Sequence, residues 1–283
     1  MKLASYVVNG QPSYGLVSER GLIDLGTKFG RRFPTLRALL AAGELEEVAR
    51  AGRERKPDYQ QDQVTFLPTI PDPEKIFCVG INYHAHREET GRSEMAYPTI
   101  FTRYANTQVG HAQPLIKPRV SNDFDYEAEL AVIIGKRARH VSKERAFDYI
   151  AGYACFNDGS VRDWQRHTSQ FTPGKNFVGT AGLGPWMATK DEVSDPTSLS
   201  LVMRLNGREM QRTTTDLMIF DIRTLIQYLT TFSELVPGDV IATGTPGGVG
   251  SRRNPPVWMK PGDIAEVEIS GIGVLRNPVV GEE

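Results

Sequence analysis

The apolar segments of this chain are short, and turn residues separate them at close intervals. Residues 75–80 and 129–135 are apolar runs that each end at a glycine, and residues 240–242, 265–269 and 273–275 are further short runs. Runs of this length, bounded by glycine, proline and aspartate, are typical of β-strands. Regular alternation of strands with helices is missing. The pattern therefore predicts a strand-rich α+β fold and disfavours a doubly wound sheet or a TIM barrel.

Two asparagine–glycine pairs predict β-hairpins, because both residues tolerate the left-handed backbone of a tight turn. Asn9-Gly10 and Asn206-Gly207 each lie between short strand-like runs. Helices are predicted at the few amphipathic segments, which begin after Thr35, Ser142 and Asp221.

A proline-rich segment at residues 67–73 favours an extended linker. It divides the chain into a small N-terminal domain, residues 1–70, and a larger domain, residues 71–283.

Charge and composition exclude several classes of protein. The 283 residues carry 33 Lys+Arg against 34 Asp+Glu, so the basic excess of a nucleic-acid binder is absent. No apolar run reaches the roughly 18–20 residues that cross a bilayer, and the N-terminus has no secretory pattern. Cys78 and Cys155 lie far apart in apolar segments, which indicates buried thiols in a reducing cytoplasm and disfavours a zinc or redox site.

Acidic residues alternate just before the apolar run at residues 129–135. Their positions are Asp123, Asp125, Glu127 and Glu129. In a continuous strand they would share one face, and a second apolar run leads to Asp158. Buried carboxylates need a compensating cation, and an all-oxygen cluster suits Mg²⁺ or Mn²⁺. The alternative is the solvent-exposed side of an edge strand, which fits Asp123 and Asp125 better than Glu127 and Glu129.

A histidine and a glutamate fall three residues apart at His86 and Glu89. If residues 83–89 are helical, the carboxylate can orient the imidazole as a general base. Two other interpretations are a metal pair, His84-x-His86, and an ordinary surface charge pair.

Residues 243–250 form a glycine-rich loop after an apolar run. The loop lacks the pattern of a nucleotide-binding loop, so it is either a simple connection or a place where backbone N–H groups approach an anion. Arg162, Gln165 and Lys175 could bind a substrate carboxylate, although isolated cations are more often solvated.

Taken in order, these segments resemble the fumarylacetoacetate hydrolase family from Phe77 to the C-terminus. The resemblance rests on the motifs FCVGINYHAHREE, DYEAELAVIIG, FNDGSVRDWQ, GKNF, GPW, ATGTPGGVG, KPGD and GIGVLRNPV. It implies a mixed β-sandwich roll with a small N-terminal α+β domain, usually as a homodimer. The family's common Gly-Phe-Asp-Thr after the active-site lysine is replaced here by Asn176-Phe177-Val178-Gly179-Thr180.

The resemblance also implies roles for individual residues. The metal ligands for Mg²⁺ or Mn²⁺ would be Glu127, Glu129 and Asp158. The catalytic residues would be the water-activating dyad His86 and Glu89, together with Lys175. The substrate-binding residues would be Arg103, Arg162, Gln165 and Thr245.

The reaction expected from this set is hydrolytic C–C cleavage of a 1,3-diketo acid of the acylpyruvate or fumarylpyruvate type, which releases pyruvate. The alternatives are decarboxylation of an oxaloacetate-type acid, hydration or tautomerisation of a 2-oxo dicarboxylic acid on the same metal site, and a non-catalytic oxo-acid-binding module. The expected partner is a small-molecule 2-oxo acid, without nucleic acid or membrane.

Overall fold

The computed structural model describes residues 1–53 and 55–283. Its strands are β1 (Lys2–Val8), β2 (Gln11–Ser18), β3 (Gly21–Asp24), β4 (Thr65–Phe66), β5 (Ile76–Gly80), β6 (Thr99–Arg103), β7 (Gln108–Val109), β8 (Leu115–Lys117), β9 (Phe124–Asp125), β10 (Ala128–Ile134), β11 (Ile150–Asn157), β12 (Ser160–Val161), β13 (Ala181–Thr189), β14 (Ser200–Leu205), β15 (Arg208–Thr214), β16 (Val240–Ala242), β17 (Ile264–Ile269) and β18 (Gly273–Gly281). Its α-helices are α1 (Gly26–Phe29), α2 (Leu36–Ala42), α3 (Leu45–Arg53), α4 (His84–Thr90), α5 (Arg162–Gln165), α6 (Thr172–Lys175) and α7 (Ile222–Phe232). Short 3₁₀-helices lie at Gln61–Gln63, Ala105–Thr107, Lys143–Tyr149, Thr215–Leu217 and Gly250–Arg252.

Two large sheets organise the molecule. The first is eleven-stranded, with the order β3-β2-β1-β13-β11-β10-β16-β5-β6, while β4 pairs with β1 and β7 with β13. The second is five-stranded, with the order β15-β14-β17-β18-β8, and β9 pairs with β12 in a short ribbon. Most pairs are antiparallel, and β5–β16, β7–β13 and β8–β18 are parallel. The prediction of a strand-rich α+β fold is confirmed.

Strand β10 lies at the centre of the first sheet and is buried on both faces. Leu130 and Val132 belong to the core cluster shared with the five-stranded sheet. Ala131 and Ile133 belong to the opposite cluster, which includes residues of α2 and α3. Because strand side chains alternate between faces, this one strand separates the two halves of the core.

The predicted hairpins and caps occur where local chemistry favours them. Asn9 and Gly10 have φ of 50° and 75°, and β1 and β2 pair in register on either side. Helix α2 begins after Thr35, whose hydroxyl accepts the amide N–H of Ala38 at 3.1 Å. Helix α7 is capped in the same way by Asp221. The helix expected after Ser142 is instead the 3₁₀ segment Lys143–Tyr149.

The first seventy residues are joined to the rest of the chain by a continuous sheet. Strand β1 pairs with β13, and Lys2 lies opposite Ala188. Leu3 and Tyr14 pack in the same cluster as Phe156 and Val240. The division at residues 70 and 71 stays a prediction, but no break in the core accompanies it in the described residues. None of the helices in the described residues is both long enough and apolar enough to cross a membrane.

Candidate active site

Three buried carboxylates meet at one end of the β10–β11 ladder. In that ladder Ala128 lies opposite Asn157, so Glu127 and Asp158 lie side by side just beyond it. The amide of Asp158 donates to the carbonyl of Glu127 at 2.8 Å. One carboxylate oxygen from each of Glu127, Glu129 and Asp158 falls within 4.8 Å of the others. The predicted ligand set is therefore brought together by strand register.

The row of alternating acids does not form one strand face. Asp125 belongs to β9, which pairs in a separate ribbon, and β10 begins three residues later. Asp125 is completely buried, and its carboxylate accepts the amides of Gly250 and Ser251 at 2.8 and 2.9 Å. The solvent-exposed interpretation of Asp125 is therefore wrong. Asp123 is partly exposed, and its backbone carbonyl accepts the amide of Arg162.

Three buried cations surround these acids. Lys175 Nζ donates to Glu127 Oε2 at 2.7 Å and to Asp158 Oδ2 at 2.6 Å. The guanidinium of Arg162 lies 2.6 Å from Glu127 Oε1. Arg103 donates to Asp158 Oδ1 at 2.5 Å. Each of these pairs is almost fully shielded from water, so each charge depends on its partner.

Arg103 was predicted to contact substrate, but its guanidinium is engaged on all sides by protein. Besides Asp158, it donates to the carbonyl of Gly159 at 3.0 Å and to the hydroxyl of Thr180 at 2.7 Å. It is absent from the described lining of the cavity discussed below. Its contacts favour a role in orienting Asp158.

The pKa shifts of the cluster follow from burial and from these pairs. Burial alone would raise the pKa of Glu127, but Arg162 and Lys175 hold it below its ordinary value. Burial would lower the pKa of Lys175, but Asp158 and Glu127 raise it. Burial, together with the negative charges of Asp158 and Glu127, raises the pKa of Glu129 well above its usual range. Glu129 is thus the acid whose charge is least compensated by the protein.

The donor set fits a divalent metal ion. Four buried acids share this region with three buried cations; the acids are Asp125, Glu127, Glu129 and Asp158, and the cations are Arg103, Arg162 and Lys175. Within residues 1–53 and 55–283, the Glu129 carboxylate accepts one hydrogen bond, from the amide of Gly244 at 2.9 Å. Carboxylate oxygens are the ligands that Mg²⁺ and Mn²⁺ prefer, and such an ion would compensate the negative charge that the three cations leave unbalanced.

The glycine-rich loop does approach anions through its backbone, and these anions are the protein's own carboxylates. The amide of Gly244 binds Glu129, and the amide of Gly248 donates to Glu89 Oε2 at 2.8 Å. The amide of Gly250 binds the buried Asp125 described above. The loop therefore orients acids on three different segments. It is more than a connection between strands, because each amide satisfies a site carboxylate.

The histidine and glutamate form the predicted pair on helix α4. His86 Nδ1 lies 2.7 Å from Glu89 Oε1, and the hydroxyl of Thr90 donates to the carbonyl of His86 at 2.8 Å. His86 is buried, whereas His84 is exposed on the same helix. The helical geometry separates the two histidines, so the alternative of a His84-x-His86 metal pair is not formed.

A cavity of about 390 Å³ opens onto this cluster. Of the predicted site residues, its lining includes His86, Glu127, Glu129, Arg162, Gln165, Lys175 and Thr245. Glu89, Asp158 and Arg103 are outside the described lining. Glu89 and Asp158 bind the lining residues His86 and Lys175, and Arg103 in turn binds Asp158.

Two neighbours of the site were not predicted. The ring of Phe101 lies 5.0 Å from Lys175 Nζ and lines the cavity. Gln211 donates to the hydroxyl of Thr245 at 2.9 Å and accepts the amide of Ala128 at 3.0 Å. Neither residue belongs to a recognisable motif, and only the folded register brings them to the site.

We expect Gly244→Ala to disturb the site through the backbone. Gly244 has φ of +105°, and a Cβ there would approach Asn82 Cβ to 2.6 Å and the carbonyl oxygen of Val79 to 2.9 Å. Strain of this kind costs about 1–3 kcal/mol, and relieving it would move the amide that binds Glu129. Urea unfolding should show a lower free energy of unfolding, and Mn²⁺ titration should show a lower affinity for the metal.

The matched control is Gly207→Ala. Gly207 also has a positive φ, +75°, but a Cβ there meets nothing within 4 Å. This variant should lose some stability and keep its affinity for Mn²⁺. Equal metal affinity in the two variants would argue against the orienting role of the Gly244 amide.

The fold and this site define a member of a known enzyme family. The family description "Fumarylacetoacetate (FAA) hydrolase C-terminal" matches residues 75–280, and the chain belongs to that family. The predicted resemblance is thus confirmed.

Similar proteins within the family are named for different reactions. The mitochondrial oxaloacetate tautomerase FAHD2A of Bos taurus is 41% identical over 276 residues, which cover 95% of this chain and 88% of that protein. A crystal structure of a putative HpcE protein from Mycobacterium smegmatis has a TM-score of 0.90 at 34% identity, with both chains fully covered. Maleylpyruvate hydrolase from Sphingobium sp. SYK-6, crystallised with manganese(II) and pyruvate, has a TM-score of 0.81 at 29% identity, again with both chains fully covered.

Proposed function

We propose that this protein is a divalent-metal-dependent tautomerase that interconverts the keto and enol forms of an oxaloacetate-type 2-oxo acid. The main support is the similarity, over 95% of the chain, to relatives named oxaloacetate tautomerase. The site contains what such a reaction requires, which is a base beside a cavity and positive charge for an enolate. Mg²⁺ or Mn²⁺ is the proposed cofactor.

His86 is the proposed base. Its Nδ1 is held by Glu89, whose second oxygen is fixed by the Gly248 amide, so Nε2 is the atom left to accept a proton. Nε2 would remove the proton from the carbon next to the oxo group. The C–H electron pair would form the C=C bond of the enolate, and the π pair of the C=O bond would move to the oxo oxygen. Return of the proton to that oxygen gives the enol, and no other reactant is consumed.

The buried cations would stabilise the negative charge that this step creates. Lys175 and Arg162 both line the cavity, and their own carboxylate partners hold them in place. A divalent ion held by Glu127, Glu129 and Asp158 would supply Lewis acidity to the oxygens of the oxo acid. Gln165 lies beside Arg162, which donates to it at 2.9 Å, so both side chains can orient substrate.

The proposal is tested by following the enol absorbance of oxaloacetate with Mg²⁺ present, while pyruvate is measured in the same samples. We expect accelerated loss of the enol without pyruvate formation. His86→Gln should slow the reaction by about 10²–10⁴-fold, the usual contribution of a general base.

His84→Gln is the matched control, because His84 is exposed on the same helix. It should keep the full rate. An unchanged rate in His86→Gln would contradict the assignment of the base, and no acceleration by the wild-type protein would contradict the proposed reaction.

The second candidate is hydrolytic C–C cleavage of an acylpyruvate or fumarylpyruvate. In this reaction the His86–Glu89 pair would activate the attacking water. The similarity to maleylpyruvate hydrolase favours it, as does a cavity with room for a longer substrate. Pyruvate release from acetopyruvate would establish this activity. Pyruvate release from oxaloacetate would instead establish the third candidate, an oxaloacetate decarboxylase.

Homodimer formation and a cytoplasmic location remain part of the proposal, together with a small-molecule partner and no role for nucleic acid or membrane. One of the similar proteins named above is a mitochondrial protein. Light scattering of the purified protein tests dimer formation, and fractionation of the source cells tests the location.

A further inference from the structure

Three arginines lie at the exposed part of the cavity that contains the buried carboxylates. Arg92, Arg166 and Arg252 all line it, and all three are exposed. They come from three distant segments of the chain. Of the described residues that line the cavity, the acids are Glu127 and Glu129, and both are buried. The mouth is therefore positively charged while the interior carries the metal-binding acids.

None of the three guanidinium groups has an acidic partner among residues 1–53 and 55–283; the hydrogen bonds of Arg92, Arg166 and Arg252 are made by their backbone amides. Many other exposed arginines of the chain are paired, for example Arg145 with Asp148. Unpaired positive charges gathered at one cavity are arranged to receive an anion.

Each of these arginines lies close in sequence to a segment that carries residues of the site. Arg92 follows helix α4, and its amide donates to the carbonyl of Arg87 at 3.2 Å. Arg166 directly follows Gln165, the partner of Arg162. Arg252 follows Ser251, whose amide binds Asp125. Their backbones are therefore fixed relative to the reacting groups, while their side chains stay free to bind a ligand.

We infer that Arg92, Arg166 and Arg252 bind the distal carboxylate of the substrate and select dicarboxylic over monocarboxylic 2-oxo acids. Guanidinium groups bind carboxylates through paired, directional N–H donors. The inference rests on the proposed function, in which the oxo-acid end of the substrate lies at Lys175 and the metal-binding acids. With that end held there, the arginines at the mouth of the same cavity are available to the second carboxylate.

The size of the cavity extends the inference to substrate length. Its volume of about 390 Å³ lies within the range of roughly 300–1,000 Å³ that holds drug-sized ligands. A four-carbon acid leaves part of this space empty, so dicarboxylic oxo acids longer than oxaloacetate also fit.

The test uses L-malate and L-lactate, which have the same hydroxy-acid end and cannot tautomerise. Titration calorimetry with Mg²⁺ present should show that the wild-type protein binds malate at least about 10-fold more tightly than lactate, a difference of about 1.4 kcal/mol. In the triple variant Arg92→Gln, Arg166→Gln, Arg252→Gln, the ratio should fall close to one, mainly through weaker malate binding.

Arg208→Gln is the matched control, because Arg208 is exposed and lies outside the described lining of the cavity. It should keep the wild-type ratio. An unchanged ratio in the triple variant, no preference in the wild-type protein, or no binding of either acid would overturn the inference. Because neither acid reacts, these outcomes are distinguishable from failure of the tautomerase proposal, which is read from oxaloacetate turnover alone.

Discussion

Glu129→Gln should weaken the binding of Mn²⁺ by at least about 10²-fold and reduce metal-dependent turnover accordingly. Loss of a residue that only supports a ligand already costs about 10–100-fold, and Glu129 is itself a candidate ligand. Among the described residues its carboxylate has one hydrogen-bond donor, the Gly244 amide, so most of its charge is available to a cation. Mn²⁺ titration followed by electron paramagnetic resonance measures the loss.

The same substitution should have the opposite effect on the metal-free protein. Burial and the charges of Asp158 and Glu127 raise the pKa of Glu129 in the folded state. A raised carboxyl pKa contributes stability that is fully present below the pKa of the unfolded chain and is lost as pH increases toward the folded value. A Gln side chain stays neutral as the pH increases, so the Glu129→Gln variant does not lose this stability.

We therefore expect a crossover, in which the order of stability of the variant and the wild-type protein reverses between metal-free and metal-saturated conditions. In EDTA, the melting temperature of Glu129→Gln should exceed that of the wild-type protein by a margin that grows from pH 5 to pH 8. In saturating Mn²⁺, the wild-type protein should be the more stable of the two, because ligand binding stabilises the folded state.

Glu88→Gln is the control, because Glu88 is an exposed carboxylate near the same site. It should show neither the crossover nor the loss of metal affinity. A Glu129→Gln protein that binds Mn²⁺ like the wild type would remove Glu129 from the ligand set.

Local chemistry explains why part of this site could be predicted. The apolar run of β10 and its preceding acids identify a buried strand that carries charge at one end, and Glu127 and Glu129 are where that reasoning places them. The His86–Glu89 pair needs only one helical turn. In both cases the relevant neighbours lie within a few residues, so periodicity is enough to bring them together.

The remaining features depend on contacts between distant segments. The interruption of the strand between β9 and β10 turns Asp125 toward Gly250, more than a hundred residues away, and an alternating pattern cannot reveal this. The hydrogen bonds of Arg103 to Asp158 and Thr180 also join distant segments. A charged residue in a sequence looks the same whether it meets substrate or a buried partner, and the register of the folded sheet decides between them.

Lys175→Met should be the most damaging single change in the cluster. It would leave the carboxylates of Glu127 and Asp158 without the ammonium that lies 2.6–2.7 Å from each. Breaking a buried ion pair by removing one partner typically costs about 3–5 kcal/mol, so urea unfolding of the metal-free protein should show a loss of this order. Turnover should fall by about 10²–10³-fold, the usual effect of removing one group that stabilises a developing oxyanion.

Metal addition separates the two roles of this lysine. Mn²⁺ should return part of the lost stability, because it neutralises the same carboxylates, but it should not return turnover if Lys175 also stabilises the enolate. Lys190→Met, at an exposed lysine, should change neither property. If saturating Mn²⁺ restores full turnover to Lys175→Met, the ammonium serves only to balance charge in the metal-free site, and the enolate must then be stabilised by the metal and by Arg162.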